Sequence, residues 1–199
     1  FLAIRLPQGK KRIFVRWWEV RERSGDFPGA LDYDWSAEKT IRIRSATIGS
    51  TGIDYCLGWE AAGSQRGTSG TDGPGQMVLF GNSTASNGTD LLRVTPGIQR
   101  GQWNMYEVEV NLGTQGQSNG AVRIWVNDKL LGERTNLNLL PRTNANIEEI
   151  WIGGWYSGLS PNPSPARRYV DDIVVSDSKI GGTVSNDKTP MPPTEVTVQ

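Results

Sequence analysis

The feature of this sequence that most restricts its fold is an alternation of apolar and polar side chains with a period of two, which returns in segment after segment. In Lys11–Val20 (KRIFVRWWEV), Ile13, Val15 and Trp17 fall on one side, and Phe14, Arg16, Trp18 and Val20 on the other. Successive side chains of an extended strand point to opposite faces, whereas a helix needs apolar repeats at three and four residues. Lys39–Thr47 sets Ile41 and Ile43 against Arg42 and Arg44. Trp103–Leu112 sets Tyr106, Val108, Val110 and Leu112 against Glu107, Glu109 and Asn111, and Ala121–Asp128 sets Val122, Ile124 and Val126 against Arg123, Trp125 and Asn127. Gly52–Trp59, Gln76–Gly81, Glu149–Gly154 and Arg168–Ser176 read as further strands. The glycine-rich Gly113–Gly120 predicts a hairpin-like link, and so an antiparallel pair. No helical period is sustained over the about 11 residues that define a helix.

Roughly eight to twelve short strands separated by turn signals predict an all-β, two-sheet antiparallel β-sandwich or jelly roll. The 24 Gly and 11 Pro supply the turns, and eight Trp, five Tyr and four Phe can fill a sizeable core. At 199 residues one domain is expected, over residues 1–181, with 182–199 a Pro/Thr-rich linker. Phe1 at the start and this tail predict that the chain is cut from a larger multidomain protein.

Several function classes recede on composition. Lys plus Arg equals Asp plus Glu at 21 each, so no net field draws nucleic acid, and no apolar run approaches the roughly 18 residues of a membrane span. Histidine is absent, which removes the commonest neutral-pH base and imidazole ligand. The single Cys56 supports neither an internal disulfide nor a thiolate metal cluster, and reads as a small buried hydrophobe. The sequons at Asn82 and Asn87 read as polar loop.

Four stretches carry a resemblance to a known family. WNMYEVEVN (103–111), GAVRIWVNDKLL (120–131), IWIGGWYSG (150–158) and YVDDIVVSDSKIG (169–181) together resemble the concanavalin A-like lectin/glucanase superfamily, in the branch shared with laminin-G-like domains and jelly-roll polysaccharide lyases. The tail PMPPTEVTVQ (190–199) resembles the entry to a fibronectin type III or similar module. The resemblance implies a concanavalin A-like sandwich and a polysaccharide or glycan partner. It also implies an extracellular, cell-surface or virion setting.

A sugar ring has apolar faces edged by hydroxyls, so its site needs flat aromatic platforms beside planar hydrogen-bonding groups. Trp125 alternates with Arg123 and Asn127, which points either to an open groove or to a second layer of core. Arg42 and Arg44, two apart on one strand face, offer guanidinium forks to the carboxylates of an acidic polysaccharide; a solvated face with salt bridges is the competing reading. The expected ligand groove combines Arg42, Arg44, Arg123 and Trp125, with Trp155 and Tyr156 on its rim.

Glu107 and Glu109 resemble the paired carboxylates of glycoside hydrolases, but the superfamily's hydrolases carry a middle Asp where this chain reads EVEVN, which argues against hydrolysis. A lyase needs a base beside a uronate carboxylate and a group to neutralise that carboxylate. Tyr55, Tyr106, Tyr156 or Tyr169 with Arg42 or Arg44 would serve. Asp171 and Asp172 point to opposite faces of one strand, so one of them faces an aliphatic surface and demands a partner. The resemblance implies a structural Ca²⁺ there, and pairing with Arg167 or Arg168 is the alternative. The leading expectation is a carbohydrate-binding, lectin-like domain, non-catalytic or weakly specialised. A polysaccharide lyase and a phage or cell-surface adhesion module are the alternatives.

Overall fold

The computed structural model describes residues 2–21, 37–46, 52–60, 76–83, 89–96, 102–140, 144–157 and 168–182. Eleven strands run in chain order: β1 (Leu2–Lys10), β2 (Arg12–Arg21), β3 (Ala37–Arg44), β4 (Ile53–Glu60), β5 (Gln76–Ser83), β6 (Thr89–Val94), β7 (Asn104–Asn111), β8 (Gly120–Val126), β9 (Lys129–Leu137), β10 (Ile147–Ser157) and β11 (Arg168–Ser176). They form two antiparallel sheets, one of six strands in the order β1-β10-β3-β4-β5-β6 and one of five in the order β11-β2-β7-β8-β9. No helix occurs among the described residues. The architecture is the all-β two-sheet sandwich that the alternation predicts.

The alternation decides which side of each strand is buried. From the five-stranded sheet, Ile13, Val15 and Trp17 of β2, Tyr106, Val108 and Val110 of β7, and Val122, Ile124 and Val126 of β8 face inward. They meet Ile41 and Ile43 of β3, Ile53, Tyr55 and Leu57 of β4, Met77 and Leu79 of β5, and Ile150 and Ile152 of β10. Burying two apolar faces against each other is what holds a sandwich together, at roughly 25 cal/mol per Å² removed from water. Trp17 stacks on Tyr106 with centroids 5.3 Å apart, and its Nε1 donates to the buried Glu19 carboxylate at 3.1 Å.

The β7–β8 pair is the expected antiparallel hairpin. The segment after it differs from expectation, because β8 ends at Val126 and Asn127–Asp128 forms a two-residue turn into β9. Both turn residues have positive φ, 50° and 64°, which a tight hairpin matched to strand twist requires and Asn and Asp tolerate. Asn127 is tied to the start of β7: its N–H donates to the Met105 carbonyl at 2.8 Å, and its Oδ1 accepts from the Met105 N–H at 2.9 Å.

Candidate functional site

The outward side chains of the six-stranded sheet form two cross-strand rows. One runs through Ala3, Trp151, Arg42, Cys56 and Phe80. The other runs through Arg5, Glu149, Arg44 and Asp54, alternating in sign. Directly opposed side chains on antiparallel strands lie close enough to interact, and diagonal neighbours remain within reach of long ones. Register therefore builds the cluster, from residues more than a hundred positions apart.

Arg42 reaches diagonally to Asp54 and grips it with a two-pronged fork: Nε donates to Oδ1 at 2.6 Å and Nη2 donates to Oδ2. That hydrogen bond, opposed by burial, holds the Arg42 pKa above its ordinary value. Arg44 is nearly enclosed, and its Nε and Nη2 donate to the carbonyls of Ser45 and Ala46 at 3.1 and 3.3 Å. Glu149 lies 3.5 Å from the Arg44 Nε. Between the arginines stands Trp151, with the Arg44 and Arg42 guanidinium carbons 4.3 and 5.6 Å from the indole centroid and its Nε1 donating to Glu149 at 3.1 Å. Guanidinium over indole is a favourable cation–π contact. Counting Arg5, the group holds three cationic and two anionic side chains, so it has a slight positive excess and fixed donors. Beside it Cys56, Val78 and Phe80 form a separate buried apolar cluster on the same outer face.

Arg123 and Trp125 do not join this face. They stand on β8, in the five-stranded sheet, so the expected single groove of Arg42, Arg44, Arg123 and Trp125 is divided between the two opposite outer surfaces of the sandwich. Trp125 is closed rather than open, 7% exposed, tilted against Phe14 at 6.1 Å and with the Lys179 ammonium 5.5 Å above its ring. Arg123 donates to Glu109 at 2.6 Å and to Glu133 at 2.9 Å. The Glu109 bond, against burial, raises the Arg123 pKa. Trp155 and Tyr156 lie on β10, paired in backbone with Lys39 and Glu38, and their side chains fall outside the described residues.

The same outer surface of the five-stranded sheet accounts for the carboxylates. Glu107 accepts the main-chain N–H groups of Ile180 and Gly181 at 2.8 and 3.0 Å, and Glu109 is held by Arg12 and Arg123. Both are buried and engaged with the protein itself. Asp171 and Asp172 depart from expectation. A register shift in β11 after Asp171, with Asp172 at a φ of 47°, turns both carboxylates to solvent instead of sending one into an apolar layer. Arg16 pairs with Asp172 at 2.7 Å, and Asp171 accepts its neighbour's N–H, while the side chains of Arg167 and Arg168 lie outside the described residues. Asp172 is thus held by a guanidinium, and no group of three or more His, Cys, Asp or Glu side chains placed to hold a metal ion occurs among the described residues.

The tyrosines separate in the same way. Tyr55 and Tyr106 are enclosed in the core, and burial pushes the Tyr55 phenol well above its ordinary pKa. Tyr169 stands on β11 of the five-stranded sheet, whereas Tyr156 is on β10 beside Arg42 and Arg44's strand. Sequence reasoning passed over Asp54 and Glu149. Both were detectable as outward positions of alternating strands, but their pairing with Arg42 and Arg44 required the register.

No protein-family model matches the sequence, and no curated protein matches it in sequence. Solved structures do match in shape. The marine PL-14 alginate lyase from Aplysia kurodai superposes with a TM-score of 0.61 at 13% identity, over 85% of this chain and 71% of that one. An alginate lyase from Chlorella virus gives 0.57 at 14% identity, over 85% and 72%. The endo-β-1,4-glucuronan lyase from the fungus Trichoderma reesei gives 0.52 at 11%, over 84% and 68%. The chain shares the β-sandwich fold of these enzymes.

Proposed function

We propose that this chain engages an acidic polysaccharide on the outer face of its six-stranded sheet and cleaves it by β-elimination. The observation that carries the reading is the Arg42–Trp151–Arg44 group, a pair of fixed guanidiniums flanking an indole. Alginate and glucuronan, the polymers named for the lyases of the same fold, are both polyuronates. A guanidinium held next to a uronate carboxylate neutralises it, which acidifies the neighbouring C5 proton. A base then removes that proton, the C4–O4 bond breaks with its electron pair on the oxygen, which takes up a proton as its chain departs, and a C4–C5 double bond remains. Tyr156 is the candidate base: of the four tyrosines on the described strands, Tyr55 and Tyr106 are enclosed in the core and Tyr169 belongs to the other sheet. An extracellular or cell-surface setting suits a polymer of this kind.

A second reading, retention of the polymer without cleavage, is favoured by one observation. The two carboxylates of the cluster, Asp54 and Glu149, are both paired with arginines. Incubation with alginate and with glucuronan, followed through the absorbance of the unsaturated product, separates the readings. Eliminative cleavage predicts a steady rise that Tyr156→Phe abolishes while polymer binding survives. No rise, with binding intact, leaves the binding module.

A further inference from the structure

The two arginines of the cluster are held in different ways, and the difference singles out one residue. Arg44 has its Nε and Nη2 on the main-chain carbonyls of Ser45 and Ala46, partners that cannot leave without unfolding the strand end. Arg42 has the same two atoms on the two oxygens of a side-chain carboxylate, Asp54. This is the bidentate geometry that a uronate carboxylate would itself adopt. The Asp54 side chain is partly open to solvent, on a strand whose next outward residue, Cys56, is buried against Val78 and Phe80. The apolar cluster holds the strand, and the carboxylate beyond it keeps an edge toward solvent.

We infer that Asp54 is the specificity-determining residue of this face: an internal carboxylate that occupies the Arg42 fork and sets how strongly a polyuronate is held. This rests on the proposed reading of the face as a polyuronate site. A ligand carboxylate must take the place of Asp54 on Arg42 or accept the Nη1 edge that Asp54 leaves open. In the first case one carboxylate exchanges for another, and in the second the ligand shares a guanidinium whose charge Asp54 already offsets. The consequence is restrained affinity for any single uronate and selection for a polymer that brings several. It also keeps unrelated small anions off the face.

The test compares wild type with Asp54→Asn, which keeps size and shape and removes the charge. Binding of alginate and of glucuronan oligomers is measured by calorimetry at low and moderate salt, with a neutral β-glucan oligomer of equal length as control. The expected result is polyuronate binding tighter by roughly tenfold, the scale of one charge-assisted contact, with a steeper salt dependence and no change toward the neutral glucan. In an Arg42→Gln background the gain must vanish, because Asp54 acts through Arg42. Asp54→Ser carries the same expectation and replaces the amide variant if that one does not fold. Unchanged or weaker polyuronate binding in a folded Asp54 variant, with wild type binding normally, overturns the inference alone. Wild type and variant both inert toward every polyuronate overturns the proposed site and the inference with it.

Discussion

Tyr55 lies on β4 with its ring against the backbone of Gly81 on β5 and its hydroxyl donating to the Leu139 carbonyl at 3.1 Å. A Cβ on Gly81 would overlap the ring, so that glycine is there because the aromatic side chain needs the space. Burial keeps the phenol neutral at pH values where an exposed tyrosine ionises, and this makes stability depend on alkali in a definite direction. In the unfolded chain the group loses its proton near pH 10, while the folded state retains it. The unfolded state then binds fewer protons, and stability is full below about pH 10 and falls as pH rises further. Tyr55→Phe is expected to cost about 1 kcal/mol near neutrality through the lost hydrogen bond and to flatten the alkaline decline. Urea midpoints of both proteins, taken across about pH 8 to 11, check both effects.

At the scale of elements, the stretch after β11 behaves as a strap over the five-stranded sheet. Glu107 accepts from Ile180 and Gly181, Asp128 accepts from the Gly182 N–H at 3.0 Å, and Arg16 donates to the Gly181 carbonyl at 2.9 Å. Glu107→Ala leaves two main-chain donors without their acceptor on a buried surface. A loss of about 1 to 3 kcal/mol is expected, together with faster hydrogen exchange at Ile180–Gly182; exchange confined to its wild-type rate would contradict the strap. Edges also explain which strands were legible. The alternating segments read from the sequence correspond to the seven interior strands and to β11, while β1, β6 and β9 escaped notice, and all three are sheet edges. An edge strand is covered less completely, so its alternation is weaker. Pro7 and Gly9 interrupt β1, Leu91 and Leu92 are consecutive at an irregularity in β6, and only Leu131 and Leu137 of β9 pack against the core. The Asn127–Asp128 turn is the available signal for β9, but the apolar pattern runs straight up to it and merges it with β8.

For the molecule as a whole, the decisive property is that a sandwich has two outer faces on opposite sides of one core. Arg42→Ala is expected to weaken polyuronate binding by roughly tenfold or more with little loss of stability, because its partner Asp54 can turn to solvent. Arg123→Ala is expected to leave binding almost unchanged and to destabilise by about 1 to 3 kcal/mol, because it strips one of two arginines from the buried Glu109. Oligosaccharide titration and thermal unfolding of the two variants, side by side, test this division; a binding loss in Arg123→Ala would place the ligand across the five-stranded sheet instead. The sequence by itself determined the all-β class and the inward residues of the interior strands, since strand geometry forces period-two side chains to opposite faces. It also identified Arg42 and Arg44 as a neighbouring outward pair, since both stand on one strand. Only the tertiary structure decided that Arg123 and Trp125 belong to the opposite surface, that Lys179 covers Trp125, and that Asp54 and Glu149 complete the arginine pair. Those relations depend on strand order and register, which join residues far apart in the chain and leave no mark in local periodicity.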